Sequence, residues 1–257
     1  MSEQEQGAAP SGMPGVETLT EWKRLAARAA VAAVPDGAVL GLGSGSTAEV
    51  MLAELAARAR QGLRVTGVAT SEHIRTLAAT LQIPLIELDA APTLTMSIDG
   101  ADEVLLPALQ LIKGRGGALL REKLVAASSA FRVIIVDASK LVPSLATRAP
   151  IPVEVVPFGW RHTAARLAAL GCQPVLRRVS AATPADPASP AASAFVTDGG
   201  NYVLDCAFGP LAQPAATAQQ IKAITGVVEH GLFVAMTERV YVGAADGVHI
   251  YDRPAAS

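Results

Sequence analysis

Apolar residues recur along this chain with the helical period in some windows and as short strand-like runs in others, and the two kinds of window alternate. Thr18-Leu19-Thr20-Glu21 has capping-box spacing, and Trp22, Leu25, Ala29 and Ala32 follow on one helical face. They predict a first helix to about Val34, ended by Pro35-Asp36-Gly37. A strand at 38–42, a glycine-rich turn and a helix at 47–60 come next. Strands at 64–69, 84–88 and 94–98, with a helix at 71–80, continue the alternation. A helix at 118–129 leads into 131–136, the most strongly β-patterned segment of the chain. Strands alternating with helices imply a parallel sheet wrapped by helices, an α/β fold of Rossmann-like kind.

The order changes after residue 148. Strands at 151–156, 174–179, 201–206 and 227–232, with helices at 161–170 and 214–224, read β-α-β-β-α-β. That is the split ferredoxin-like arrangement. It predicts a second, smaller ferredoxin-like α+β domain over 148–233. Strands at 239–242 and 248–251 return to the first domain, which then comprises 18–147 and 234–257. Residues 1–17 read as a disordered tail, polar and rich in Gly and Pro without an apolar leader segment. The stretch 181–194 consists of Ala, Pro, Ser, Thr and Asp and reads as a mobile surface loop.

Composition narrows the function classes. Of 257 residues, 51% are hydrophobic and 17% charged, enough apolar surface for a substantial core. The net charge of -2 offers no footprint for nucleic acid, and no Lys/Arg run marks an anionic membrane. No apolar run is long enough to span a bilayer. Cys172 and Cys206 read as free thiols in a reducing cytoplasm, since no secretory signal is recognisable. His73, His162, His230 and His249 are scattered without ligand spacing, so no metal is expected.

Four segments carry candidate chemistry. Gly41-Leu42-Gly43-Ser44-Gly45-Ser46-Thr47 joins a strand to a helix, where small residues and unpaired helix amides suit an anion. It is also readable as a plain tight turn capped by Ser46 or Thr47. Neither a Walker A loop nor the dinucleotide fingerprint fits, because no Gly-Lys-Ser/Thr follows and Ser46 stands where the third glycine belongs. Ser97-Ile98-Asp99-Gly100-Ala101-Asp102-Glu103 places three carboxylates after a strand. If Asp99 and Asp102 face one pocket, their repulsion favours a proton on one of them; the alternative is a solvated turn. Lys113-Gly114-Arg115-Gly116-Gly117 puts a lysine at a flexible turn, within reach of a developing oxyanion. It precedes Arg121-Glu122-Lys123, which is either one base among ordinary charges or a charged helix surface. Asp137-Ala138-Ser139-Lys140 closes another strand and offers a further cation.

Together these segments resemble type A ribose-5-phosphate isomerase. The matching stretches are GLGSGSTA from Gly41, SIDGADEV from Ser97, LIKGRGGALLREK from Leu111 and VDASKLV from Val136. PIPVEVVPFGW from Pro150, FVTDGGNYVLD from Phe195 and ITGVVEHGLF from Ile224 also match, in the expected order. The resemblance implies an aldose–ketose isomerase of the pentose phosphate pathway. It would interconvert D-ribose 5-phosphate and D-ribulose 5-phosphate through an enediolate, without metal or organic cofactor.

Residue roles follow from the same resemblance. Glu122 corresponds to the proton acceptor, with Asp99, Asp102 and Lys113 as further catalytic groups. Ser44, Gly45, Ser46 and Thr47 cradle the substrate, while Asp99, Gly100, Ala101, Asp102, Lys113, Gly114, Arg115 and Gly116 line the sugar. Lys140 is a further substrate contact. Arg115 departs from the glycine of many members, and 181–194 is longer than the usual connection. A cytoplasmic homodimer or homotetramer is implied, with a small phosphosugar as partner and neither nucleic acid nor membrane. Two competing readings are a phosphosugar-sensing domain, and acyl-CoA transfer with a glutamate as nucleophile.

Overall fold

The computed structural model describes residues 15–91, 93–179 and 193–254. The expected tail up to residue 14, and residues 181–192 of the expected loop, lie outside them. Helix α1 (Val16–Ala32) is followed by β1 (Ala38–Leu42), α2 (Ser46–Arg60), β2 (Val65–Ala69) and α3 (Glu72–Thr80). Next come β3 (Met96–Asp99), β4 (Glu103–Leu105), β5 (Gln110–Ile112), α4 (Leu119–Ala127), β6 (Arg132–Asp137) and β7 (Leu141–Val142). Then follow β8 (Ile151–Val155), α5 (Trp160–Ala168), β9 (Gln173–Leu176), β10 (Tyr202–Ala207), α6 (Pro214–Lys222) and β11 (Val227–His230). β12 (Leu232–Phe233), β13 (Arg239–Ala244) and β14 (Gly247–Asp252) complete the described elements.

The largest sheet has the order β14-β13-β6-β3-β1-β2, parallel except for β14. Its core includes Leu40, Leu42, Met51, Leu52 and Leu55, all fully buried. Burying one such side chain is worth about 1.5–3 kcal/mol. The chain runs outward from β1 to β2, then returns to place β3 on the other side of β1. Between β1 and β3 lies the topological switch point, where the crevice at the strand ends is left open for a ligand. The second sheet, order β11-β8-β10-β9, is antiparallel and packs with α5 and α6 in the ferredoxin-like manner the sequence predicts. No helix among the described residues is long and apolar enough to cross a membrane.

The structure departs from the sequence reading in four places. Thr18 caps nothing: the helix reaches back to Val16, with Gly15 at the N-cap and no side-chain cap. There Glu17 meets the helix dipole, and Thr20 Oγ1 donates to Val16 O. The expected strand at 84–88 shrinks to one bridge between Gly67 and Leu85, since Pro84 has no N–H to donate and a 3-10 turn follows at Leu88–Ala90. A third sheet, order β12-β5-β4-β7, is built from two- and three-residue strands too short for any period to register. The expected strand at 227–232 breaks at Gly231, where a Cβ would lie 2.2 Å from Lys113 O. That close approach carries the chain from the second sheet into the third.

Candidate active site

The carboxyl ends of β1 and β3 meet at the switch point because residue 43 has no side chain. A Cβ on Gly43 would lie 2.2 Å from Asp99 Oδ1. The Ser44 N–H instead donates to Asp99 Oδ1 at 3.0 Å, and Ser44 Oγ shares a 2.6 Å hydrogen bond with Thr70 Oγ1. Gly45 then turns the chain into α2 with φ +84°. Glu49 N–H is the first to bond back, to Gly45 O, so the Ser46 and Thr47 amides lack intrahelical partners. Lys23, from α1, donates to Ser46 Oγ at 3.0 Å. Backbone donors, hydroxyls and an ammonium thus converge on one helix N-terminus, an arrangement suited to a phosphate.

Three buried ionisable groups lie behind this cradle. Lys113 is 3% exposed, and its Nζ lies 2.9 Å from Asp99 Oδ2 and 3.3 Å from Glu122 Oε2. It also donates to Gly100 O at 2.7 Å. Asp99 accepts from the Gly100 N–H as well, at 2.7 Å, whereas Glu122 Oε2 has the Lys113 ion pair but no hydrogen bond among the described residues. Burial pushes both carboxyls up, and the Lys113 ammonium pulls both back down. For Glu122 burial wins, with repulsion from Asp99 added, and the group stands at about 8. Burial alone would lower Lys113, but its two carboxylate neighbours hold it above the usual lysine range. The lysine therefore stays cationic while Glu122 can exchange a proton near neutrality.

A pocket of about 100 Å³ joins the cradle to Glu122 and Lys113. A wider cleft of about 310 Å³ beside α3 and α4 lacks comparable chemistry. Its arginines are consumed in ion pairs, Arg75 with Glu72 and Glu87, and Arg121 with Glu72 and Asp198.

Residues 66–247 match the family described as Ribose 5-phosphate isomerase A (phosphoriboisomerase A). The ribose-5-phosphate isomerase A of Synechococcus sp. (strain JA-3-3Ab) is 50% identical over 229 residues, 89% of this chain and 95% of that protein. The chain belongs to the ribose 5-phosphate isomerase A family. The solved structure of ribose 5-phosphate isomerase A from Methanocaldococcus jannaschii superposes with a TM-score of 0.83 at 37% identity, covering 90% of this chain and 98% of that one. A D-ribose-5-phosphate isomerase in complex with phospho-erythronic acid superposes with a TM-score of 0.85 at 32% identity, covering 91% and 99%.

Most residues singled out in the family motifs converge here. Ser44, Gly45, Ser46, Thr47, Gly100, Ala101, Asp102, Lys113, Gly114, Arg115, Gly116, Glu122 and Lys140 all line the 100 Å³ pocket. Asp99 does not: it sits behind Lys113 and lines a smaller inner cavity. Lys113 is not the mobile residue its glycine-rich surroundings suggest, because burial and three oxygen neighbours fix it. Glu103 leaves the acidic cluster altogether, fully buried and accepting the backbone N–H groups of Ala146, Arg148 and Ala149. Of the Arg121-Glu122-Lys123 triplet only Arg121 belongs to the surface. Lys123 bonds Glu229 Oε1 at 2.8 Å and Leu232 O at 3.0 Å, which ties α4 to the segment packed on Lys113. Lys23 escaped the sequence reading, since one lysine in an amphipathic helix carries no local sign of which pocket it enters.

Proposed function

We propose that this chain interconverts D-ribose 5-phosphate and D-ribulose 5-phosphate through an enediolate, with Glu122 as the base. The observation that carries the reading is the Glu122 carboxyl itself, 5% exposed, ion-paired with Lys113 at Oε2 but accepting no hydrogen bond there among the described residues, and lining the pocket that ends at the α2 amides. The 5-phosphate sits at Ser46, Thr47 and Lys23, with Lys140 lining the same pocket. Of the two aspartates the geometry favours Asp102 for ring opening. Asp99 is spent on Lys113, Ser44 and Gly100, whereas Asp102 lines the pocket and, among the described residues, its carboxylate holds only the Arg115 N–H, at 3.0 Å. Glu122 takes the proton from C2 of the open aldehyde and returns it to C1, while the O2 hydroxyl proton passes to O1 across the cis-enediolate, leaving the carbonyl at C2. As Glu122 becomes neutral its pull on Lys113 weakens, which frees the ammonium N–H on that side for the enediolate oxygen. Positioned proton transfer contributes about 10² to 10⁴-fold and one oxyanion donor about 10² to 10³-fold, so neither suffices without the phosphate anchor.

Acyl transfer would require Glu122 open to attack on a thioester, which its burial disfavours. The chemistry in this reading belongs to 18–147 with 234–257, and 148–233 supports it. The same reading includes a cytoplasmic homodimer or homotetramer. Phe158, 95% exposed on the second sheet's unit, is an apolar side chain that a second copy would cover. The decisive experiment is incubation with ribose 5-phosphate, which must yield ribulose 5-phosphate; failure to form the ketose rejects the assignment.

Two further outcomes follow from the charges. Isomerisation persists after exhaustive treatment with EDTA. The Lys113 ammonium already occupies the position between Asp99 and Glu122 that a cation would take, and the described residues hold no cluster of three or more His, Cys, Asp or Glu suited to a metal. Loss of turnover that a divalent cation restores would contradict it. The second outcome concerns pH. Glu122 works as the carboxylate and its pKa is raised, so kcat/KM climbs as pH rises through about 8 and levels off above. Lys113 remains charged across that range and imposes no falling limb there. A profile flat between pH 6 and 9 would remove Glu122 as the titrating base.

A further inference from the structure

The pocket wall formed by 113–116 is held from outside by a residue that neither lines the pocket nor lies in any of the four chemical segments. Arg177 directly follows β9 in the second sheet, and its side chain is 14% exposed. Its Nε and Nη2 clasp Asp205 of β10, at 2.9 and 2.5 Å. The remaining arm, Nη1, donates to Gly114 O and to Arg115 O, both at 3.0 Å. Phe195 backs the same turn: its ring lies 5.9 Å from the Arg177 guanidinium and fills the space a Cβ on Gly117 would need.

Peptide geometry turns this clasp into a statement about the pocket. In a trans peptide the C=O and the following N–H point in opposite directions. Gly114 O faces Arg177, and the Arg115 N–H of that peptide accordingly points away, to Asp102 Oδ2 at 3.0 Å. Arg115 O also faces Arg177, so the Gly116 N–H points to the same side as Asp102. Gly116 lines the pocket, and its N–H has no protein acceptor among the described residues. Gly114 and Gly117 adopt φ of +102° and +85°, and the Gly117 N–H closes the turn on Gly114 O at 2.9 Å, but the Arg115–Gly116 peptide has no backbone hydrogen bond among the described residues to fix its orientation.

We propose that Arg177 is a positioning residue for the isomerase site: by gripping the Gly114 and Arg115 carbonyls it aims the Gly116 N–H at the sugar, as a donor for the charge that develops at C1 and C2. This rests on the proposed isomerase reading. A donor fixed in advance stabilises developing charge without reorganising during the reaction. Arginine suits the task because its planar fork serves Asp205 and two carbonyls at once, which a lysine ammonium cannot match.

The test compares Arg177→Met and Arg177→Lys with the unmodified chain, using two inhibitors. Phospho-erythronic acid carries an acidic group where the enediolate charge develops, whereas ribitol 5-phosphate has the same phosphate and a neutral chain. Both variants should lose about 10 to 100-fold in kcat/KM, up to the range of one oxyanion donor. Binding of phospho-erythronic acid should weaken by a similar factor, while that of ribitol 5-phosphate stays within about twofold. A purely structural role predicts equal weakening of both inhibitors, and that result overturns the proposal, as does kcat/KM within twofold of the unmodified chain. Should Arg177→Met not fold, Arg177→Lys keeps a cation beside Asp205, and unchanged inhibitor selectivity there is equally fatal. Turnover of ribose 5-phosphate by the unmodified chain, and its loss in Glu122→Gln, test the isomerase reading separately.

Discussion

Glu122→Gln lowers kcat for ribose 5-phosphate by about 10³-fold, within the range for loss of a positioned base. The amide retains the size of the side chain and fits the same buried position, so the fold should be unaffected. It cannot accept the C2 proton. KM should change little, because the phosphate cradle at Ser46, Thr47 and Lys23 belongs to α1 and α2 and does not involve Glu122. One electrostatic consequence runs the other way. Lys113 loses a neighbour 3.3 Å from its Nζ but keeps Asp99 at 2.9 Å and Gly100 O at 2.7 Å, so the ammonium remains paired. Steady-state kinetics with both sugars and solvent-deuterium exchange at C2 of recovered ribose 5-phosphate are the measurements. Exchange that continues in the variant, or a kcat within tenfold of the unmodified enzyme, would show that another group removes the proton.

Unphosphorylated ribose is turned over with a kcat/KM at least about 10³-fold below that of ribose 5-phosphate. The base is held rigidly, so the sugar must be brought to it in one orientation, and the anion is the only strongly held part of the substrate. Its site combines unpaired α2 amides, the hydroxyls of Ser44 and Ser46, and the Lys23 ammonium 3.0 Å from Ser46 Oγ. Ribose offers this site nothing to bind, and it leaves the cations without a counter-charge. The phosphate contributes most where it orients C2 toward Glu122, so both kcat and KM should suffer. Initial rates for the two sugars, measured by direct detection of ketose, decide the point; values within tenfold of each other would reject the cradle.

The sequence was most informative where the governing physics is local. Apolar spacing and turn residues place β1, β3 and β6 and the loops at their carboxyl ends, so the glycine-serine turn, the Asp99 segment and Lys140 were legible as candidates for a site, with ordinary turns as the alternative. The four short strands of the third sheet were not, since two or three residues carry no period. Nor was the false capping box at Thr18, because backbone hydrogen bonding extended the helix one turn further back than side-chain spacing implied.

Roles within the site depend on partners distant in the chain, and there local pattern has no purchase. Asp99 and Asp102 look alike in sequence, yet burial beside Lys113 removes Asp99 from the pocket and leaves Asp102 facing it. Glu122 is flanked by two charges that suggest a solvated surface, but α4 packs so that Glu122 and Lys123 are buried on different partners and Arg121 stays outside. Lys23 lies in a helix and Arg177 just beyond a strand, and both elements have ordinary patterns. Their place at the site exists only after α1 lies against α2 and the second sheet reaches the 113–117 turn. Periodicity and turn chemistry act over a few residues and survive in the sequence; desolvation and charge pairing act across space, and they arise only once the chain has closed around the switch point.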